Sequence, residues 1–109
     1  MRKIEIKVED APKPVARYSQ GILVNNTLYI QGIIALDPGS GKLIDEGVEK
    51  QTKRVFDSIR TIVEGAGMRM ADVVKVTVFL SDLADYQKFN EVYNSYFPYD
   101  PPPVRTTVQ

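Results

Sequence analysis

The run Leu28-Tyr29-Ile30-Gln31-Gly32-Ile33-Ile34 constrains the fold more than any other stretch of the chain. Read as a strand, it puts Leu28, Ile30 and Ile34 on one face and Tyr29 and Ile33 on the other, because side chains alternate along a strand. A strand apolar on both faces is covered on both faces. One cover can be a helix of the same chain and the other a second subunit. Gly32 in the middle of the run marks a bulge or the close approach of another group. Just upstream, Asn25-Asn26 tolerate the left-handed backbone of a tight turn, so Gly21-Ile22-Leu23-Val24 and the run from Thr27 to Leu36 form a hairpin.

Periodicity places the other elements. Ile4, Ile6 and Val8 alternate with Lys3, Glu5 and Lys7, the pattern of an antiparallel strand with one wet side. Pro12 and Pro14 then exclude both helix and central strand and make a loop that carries Tyr18, Ser19 and Gln20. Residues 48 to 67 form an amphipathic helix: Val48, Val55, Ile59, Ile62, Val63 and Ala66 share a face, and Gly65 and Gly67 end it. Residues 72 to 80 form a strand whose core face is Val74, Val76, Val78 and Leu80, with Lys75 and Thr77 opposite. Residues 81 to 97 form a second amphipathic helix, capped by Ser81 or Asp82, with Leu83, Tyr86, Phe89, Tyr93 and Phe97 as its buried stripe. Pro98 and Pro101 to Pro103 end it, and Val104 to Val108 is a last strand. The order β-loop-β-β-α-β-α-β predicts one α+β domain over residues 1–109, with two helices on one face of a sheet.

Composition excludes whole classes of chemistry. With no histidine and no cysteine, there is no Ser-His-Asp or Cys-His catalysis, no disulfide and no usual zinc site. Fourteen basic residues balance fourteen acidic ones, so the electrostatic footprint of nucleic-acid binding is missing. The glycine-rich turn Asp37-Pro38-Gly39-Ser40-Gly41-Lys42 lacks the Gly-Lys-Ser/Thr ending of a phosphate loop. The N-terminus alternates and has no signal-peptide core, and no segment reaches a membrane span, so the default compartment is the cytoplasm.

Among candidate functional residues Arg105 comes first. In the middle of a β-branched run it either faces water as an edge-strand guard or offers its fork to a carboxylate. Thr107 shares its face; Thr106 points the other way. Tyr18 is either a loop aromatic covering the core or a pocket hydroxyl. Asn90 lies beside the apolar stripe of the second helix. Tyr86, Tyr93, Tyr96 and Tyr99 read as core and rim, since a stacking platform for nucleic acid needs interleaved basic residues.

Four collinear pieces carry a family resemblance. They are "APKPVARYSQG", "YIQGIIALDPGSGKL", "VVKVTVFLSDLADYQKFNEVYNSYF" and "PPPVRTTVQ". In order, they are similar to the patterns Ala-Pro…Gly-Pro-Tyr-Ser-Gln-Ala/Gly, Ser-Gly-Gln-Ile-Pro-x-Asp-Pro-x-Thr-Gly, Val-Lys-x-Thr-Val-Phe-Leu-x-Asp-Met…Phe-Asn-x-Val-Tyr-x-x-Tyr-Phe and Pro-Pro-Ala-Arg-Ser-x-Val. Together they span nearly the whole chain and resemble the reactive intermediate deaminase A (RidA, formerly YjgF) family.

The resemblance implies a chorismate-mutase-like fold, a mixed sheet with two helices packed on one face. It implies a homotrimer with clefts between subunits that bind small 2-imino or 2-keto acids. The activity implied is hydrolysis of enamines and imines such as 2-aminoacrylate to 2-keto acids and ammonia, with no metal or organic cofactor; the balanced charge and the lack of a membrane span point to no nucleic-acid and no membrane partner. Carried over by position, Arg105 clamps the carboxylate and Tyr18 lines the pocket as the second catalytic group. The Gly32 and Ile33 backbone shapes the pocket, Thr107 hydrogen-bonds the ligand, and Asn90 supports the residues around it. Arg17, Ile33 and Ala35 depart from the family's Pro, Gln and Pro. The pattern also continues past Gln109 into a strand whose glutamate positions water, so residues 1–109 are expected to lack the last strand of the sheet. A non-catalytic trimer that binds small carboxylates or serves regulation is therefore the alternative. A ribonuclease is disfavoured by the lack of histidine and of a basic surface.

Overall fold

The computed structural model describes residues 1–109. Strands β1 (Lys3–Ile6), β2 (Gly21–Val24) and β3 (Thr27–Ile30) form an antiparallel ladder, and β4 (Lys75–Phe79) pairs in parallel with β5 (Val104–Val108). Both pairings of a mixed sheet are thus present, in two hydrogen-bonded ladders. The helices are α1 (Val48–Gly65) and α2 (Tyr86–Tyr96). Parallel pairing demands a crossover, and α2 supplies it between β4 and β5. No helix is long and apolar enough to cross a membrane.

Local chemistry explains the boundaries. Asn25 takes the left-handed backbone, φ 55°, at the β2–β3 turn. Gly67, φ 78°, stops α1, and the Asp82 carboxylate accepts the Ala84 N–H in the 3-10 turn Leu83–Asp85 that leads into α2. Gly65 has a packing reason: a Cβ there would sit 2.6 Å from Val8 Cγ1. The loop after β1 is held by one buried amide. Gln20 Oε1 accepts the Val8 N–H at 2.7 Å, and Gln20 Nε2 donates to the carbonyls of Val8 and Pro12 at 3.2 and 3.0 Å. A proline-broken loop cannot join a ladder, so a side chain satisfies its backbone instead.

Both helices cover the same sheet face. Leu28 and Ile30 of β3 and Val76 and Val78 of β4 meet Phe56 and Val63 of α1 and Phe89, Tyr93 and Phe97 of α2 in one apolar cluster. Phe56 is its hub. Its ring centroid lies 5.5 to 6.3 Å from those of Phe89, Tyr93, Tyr96 and Phe97. Such tilted and edge-on pairs add to the area they bury. A second, smaller cluster joins Ile6, Ala11 and Ile62.

The other sheet face is bare. The chain measures 43 × 35 × 20 Å, and 20 Å is the thickness of one helix layer on one sheet layer. Tyr29, Phe79 and Val104 point away from the helices and are 64, 77 and 67 % exposed.

Several expectations need correction. The long second hairpin arm ends its ladder at Ile30. The Gln31 side chain turns to the Pro12 carbonyl, Ile33 packs into the second cluster, and Ile34 points outward instead of sharing a covered face with Leu28 and Ile30. Pairing resumes only at the Leu36–Leu43 bridge. Val74 is exposed, because it precedes the strand; Val73, leaving the 3-10 turn Met70–Asp72, packs against the core in its place. Leu83 and Tyr86 are partly exposed at the rim of the α2 stripe. The apolar stripe of α1 is wider than its periodicity indicates, since Phe56 is buried between α1 and α2.

Phe56→Ala is therefore expected to cost about 3–5 kcal/mol of unfolding free energy. Urea unfolding measures it, and a loss below about 1 kcal/mol, the scale of an ordinary surface change, would remove Phe56 from its central position.

Candidate functional site between β5 and α2

β5 alternates as its sequence requires: Arg105 and Thr107 are half-buried on the helix side, and Val104, Thr106 and Val108 are exposed. The parallel register sets Arg105 beside Val76 and Thr107 beside the buried Val78. Arg105 is therefore not a guard facing water at an edge. It faces Tyr86, Phe89 and Tyr93, which recur at helical spacing on α2.

The guanidinium is held by aromatic chemistry alone. Its carbon lies 4.6 Å from the Tyr93 ring centroid, 5.4 Å from Tyr86 and 5.5 Å from Phe89. These are cation–π distances. One N–H donates to the Tyr86 hydroxyl at 2.7 Å. No carboxylate of the chain forms a salt bridge with it. A guanidinium carries five donors, so this arrangement keeps a cation, its fork and an apolar wall ready for a planar anion. Asn90 Oδ1, Tyr93 OH and Thr107 Oγ1 are buried without hydrogen-bond partners.

The remaining expected residues lie elsewhere in the chain. Tyr18 is 50 % exposed in the loop before β2, where its hydroxyl accepts only the Val15 N–H at a long 3.4 Å. Arg17 beside it is exposed. Gly32 is exposed, with open space where a Cβ would be. Within one chain no hydrogen bond joins Tyr18, Gly32 or Ile33 to Arg105. Thus Arg105, Thr107 and Asn90 belong to the β5–α2 region, and Tyr18, Gly32 and Ile33 to the loops of the antiparallel ladder. Tyr86 was missed as a partner of Arg105. The one available signal was its place one turn before Asn90 on the stripe.

A second polar cluster, at a notch of about 310 Å³ between the helices, has a different character. Asp57 accepts from Tyr96 OH at 2.6 Å, Lys53 Nζ at 2.7 Å and Arg60 at 3.0 Å. Burial pushes its carboxyl pKa up, but the hydrogen bonds from Lys53 and Tyr96 and the charges of Lys53 and Arg60 outweigh it, so the pKa lies below the usual value. Burial, then the bond to Asp57, raises the pKa of Tyr96. Every group here is satisfied inside the chain, which reads as a tie between α1 and α2.

Comparison with known proteins agrees with the fold. The family model described as Endoribonuclease L-PSP matches residues 8–109. A RutC family protein of Pyrococcus abyssi is 46 % identical over 109 residues, covering 100 % of this chain and 85 % of that protein. The 2-iminobutanoate/2-iminopropanoate deaminase of Rattus norvegicus is 39 % identical over 97 residues, 89 % of this chain and 70 % of that one. The crystal structure of RidA from the Antarctic bacterium Psychrobacter sp. PAMC 21119 superposes with a TM-score of 0.91 at 40 % identity, covering 97 % of this chain and 85 % of that chain. The α+β architecture is the chorismate-mutase-like fold of these structures.

Because the Asp57 pKa is depressed on folding, its stabilisation is fully present above the unfolded value of about 4 and is lost as pH falls through the lower folded value. Asp57→Asn is expected to lower stability at neutral pH and to flatten the acid limb of the stability profile. Urea midpoints between about pH 2 and 7 test this, and an unchanged acid slope would contradict it.

Proposed function

The chain belongs to the RidA/YjgF family, and from that premise we propose that it hydrolyses reactive 2-enamine and 2-imine acids, such as 2-aminoacrylate, to 2-keto acids and ammonia. The observation that carries this reading is Arg105, a cation with no carboxylate partner, packed on three aromatic rings with most of its donors free. Relatives named as 2-iminobutanoate/2-iminopropanoate deaminases, and one named Reactive Intermediate Deaminase A, support the reaction class.

The chemistry demands little of the protein. An imine carbon is already electrophilic once its nitrogen is protonated. Arg105 takes the substrate carboxylate as a two-pronged clamp, fixing the plane of the conjugated acid. The rings beneath it exclude water from that side and strengthen the ion pair. Thr107, on the same face, offers its unpartnered hydroxyl to the ligand. 2-Aminoacrylate takes a proton from solvent at its methylene carbon to become the iminium; water then adds to the imine carbon, and the tetrahedral intermediate expels ammonia as the carbonyl forms.

The second wall of the site comes from another subunit in this reading. The bare sheet face, where Tyr29, Phe79 and Val104 lie exposed beside Lys75 and Thr77, suits burial in a homotrimer. A neighbour's Tyr18 loop and Gly32–Ile33 backbone then reach the Arg105 face that their own chain leaves open.

The test is release of keto acid when the purified protein meets freshly generated 2-aminoacrylate. Arg105→Ala is expected to reduce kcat/KM by about two orders of magnitude, the scale of removing one partner from a desolvated charge pair. An unaffected rate ends the clamp assignment. Saturable keto-acid binding with no turnover would favour a binding module instead. Light scattering after size exclusion should give three times the 12.3 kDa chain, and a monomer would remove the shared cleft.

A further inference from the structure

Tyr93 is only 6 % exposed, and its hydroxyl has no hydrogen-bond partner. A buried hydroxyl left unpaired costs stability, and such groups are uncommon in native proteins. Packing does not explain it, for the ring alone makes the contacts with Phe56, Phe89 and Phe97. Phenylalanine would serve the core equally well. The position of the ring supplies a reason for the hydroxyl. Of the three rings around the guanidinium, that of Tyr93 is nearest, at 4.6 Å. Two further unpaired buried atoms belong to the same surroundings: Thr107 Oγ1, on the Arg105 face of β5, and Asn90 Oδ1, one helical turn before Tyr93.

We propose that Tyr93 is a ligand-binding residue of this site, its hydroxyl donating to a carboxylate oxygen lone pair that the Arg105 fork leaves free. The assignment rests on the reading of Arg105 as a carboxylate clamp. A carboxylate accepts about four hydrogen bonds and a guanidinium fork fills two of those sites, so a bound ligand supplies the acceptor that a single chain does not give the neighbouring donor. Burial raises the hydroxyl's pKa and the charge of Arg105 opposes that; the net shift is upward, which keeps the proton on the donor. The hydroxyl is thus a cost to the empty protein that ligand binding relieves, the mark of a functional group rather than a structural one.

Tyr93→Phe removes only the oxygen. Titration calorimetry of the full chain with 2-oxobutanoate is expected to show Kd raised about tenfold, the loss of one charge-assisted hydrogen bond. The thermal midpoint of the unliganded variant should equal or exceed the parent's. An unchanged Kd overturns the proposal. So does a raised Kd with a lowered midpoint, which is what loss of a structural hydroxyl produces. Arg105→Ala, run in parallel, separates the two levels. If it abolishes binding while Tyr93→Phe binds as the parent does, only the Tyr93 assignment falls. If it binds as the parent does, the clamp reading falls and the Tyr93 assignment with it.

Discussion

The ring of Phe56 determines how the rest of the molecule is arranged. It is the point at which α1 grips α2, through four aromatic neighbours on the second helix and the residue that ends it. Two of those neighbours, Phe89 and Tyr93, show their other sides to Arg105. A rotation of α2 about its axis would therefore withdraw the aromatic seat from the guanidinium. The site is built on the hydrophobic core, with no rigid layer between the two. The tie from Asp57 to Tyr96 fixes the same pair of helices from the solvent side, so the helix pairing is fastened at both margins.

Gln20 does for the loops what Phe56 does for the helices. Its amide replaces a missing strand neighbour along residues 8 to 12, where prolines forbid a ladder. The path of the loop bearing Tyr18 follows from that anchor two residues on. The residues expected to act together are thus delivered by two independent devices, one aromatic and one amide. They lie in separate regions of a single chain.

Much of this was legible in the sequence, for physical reasons. The β2–β3 turn showed in Asn25-Asn26, because few side chains accept the left-handed backbone. The face shared by Arg105 and Thr107 followed from alternation alone. Periodicity, however, reveals which face is buried and not what buries it. Phe56 was missed because it lies one position from the counted stripe of α1, on the flank that the rings of α2 cover. Ile34 was misplaced because alternation was carried past Gly32, where the ladder has already ended. The contact of Tyr86 with Arg105 joins residues 19 apart in sequence through the packing of α2 on β5, which no local pattern encodes.

The bare sheet face has a thermal consequence. Tyr29, Phe79 and Val104 offer hydrocarbon to whatever seats against them, beside the polar Lys75 and Thr77 of the same face. Near room temperature the burial of such surface is driven by the entropy of released water, and its strength fades on cooling. An association through this face would tighten with warming and loosen in the cold. Chilling would then act on it as dilution does, without altering a single residue.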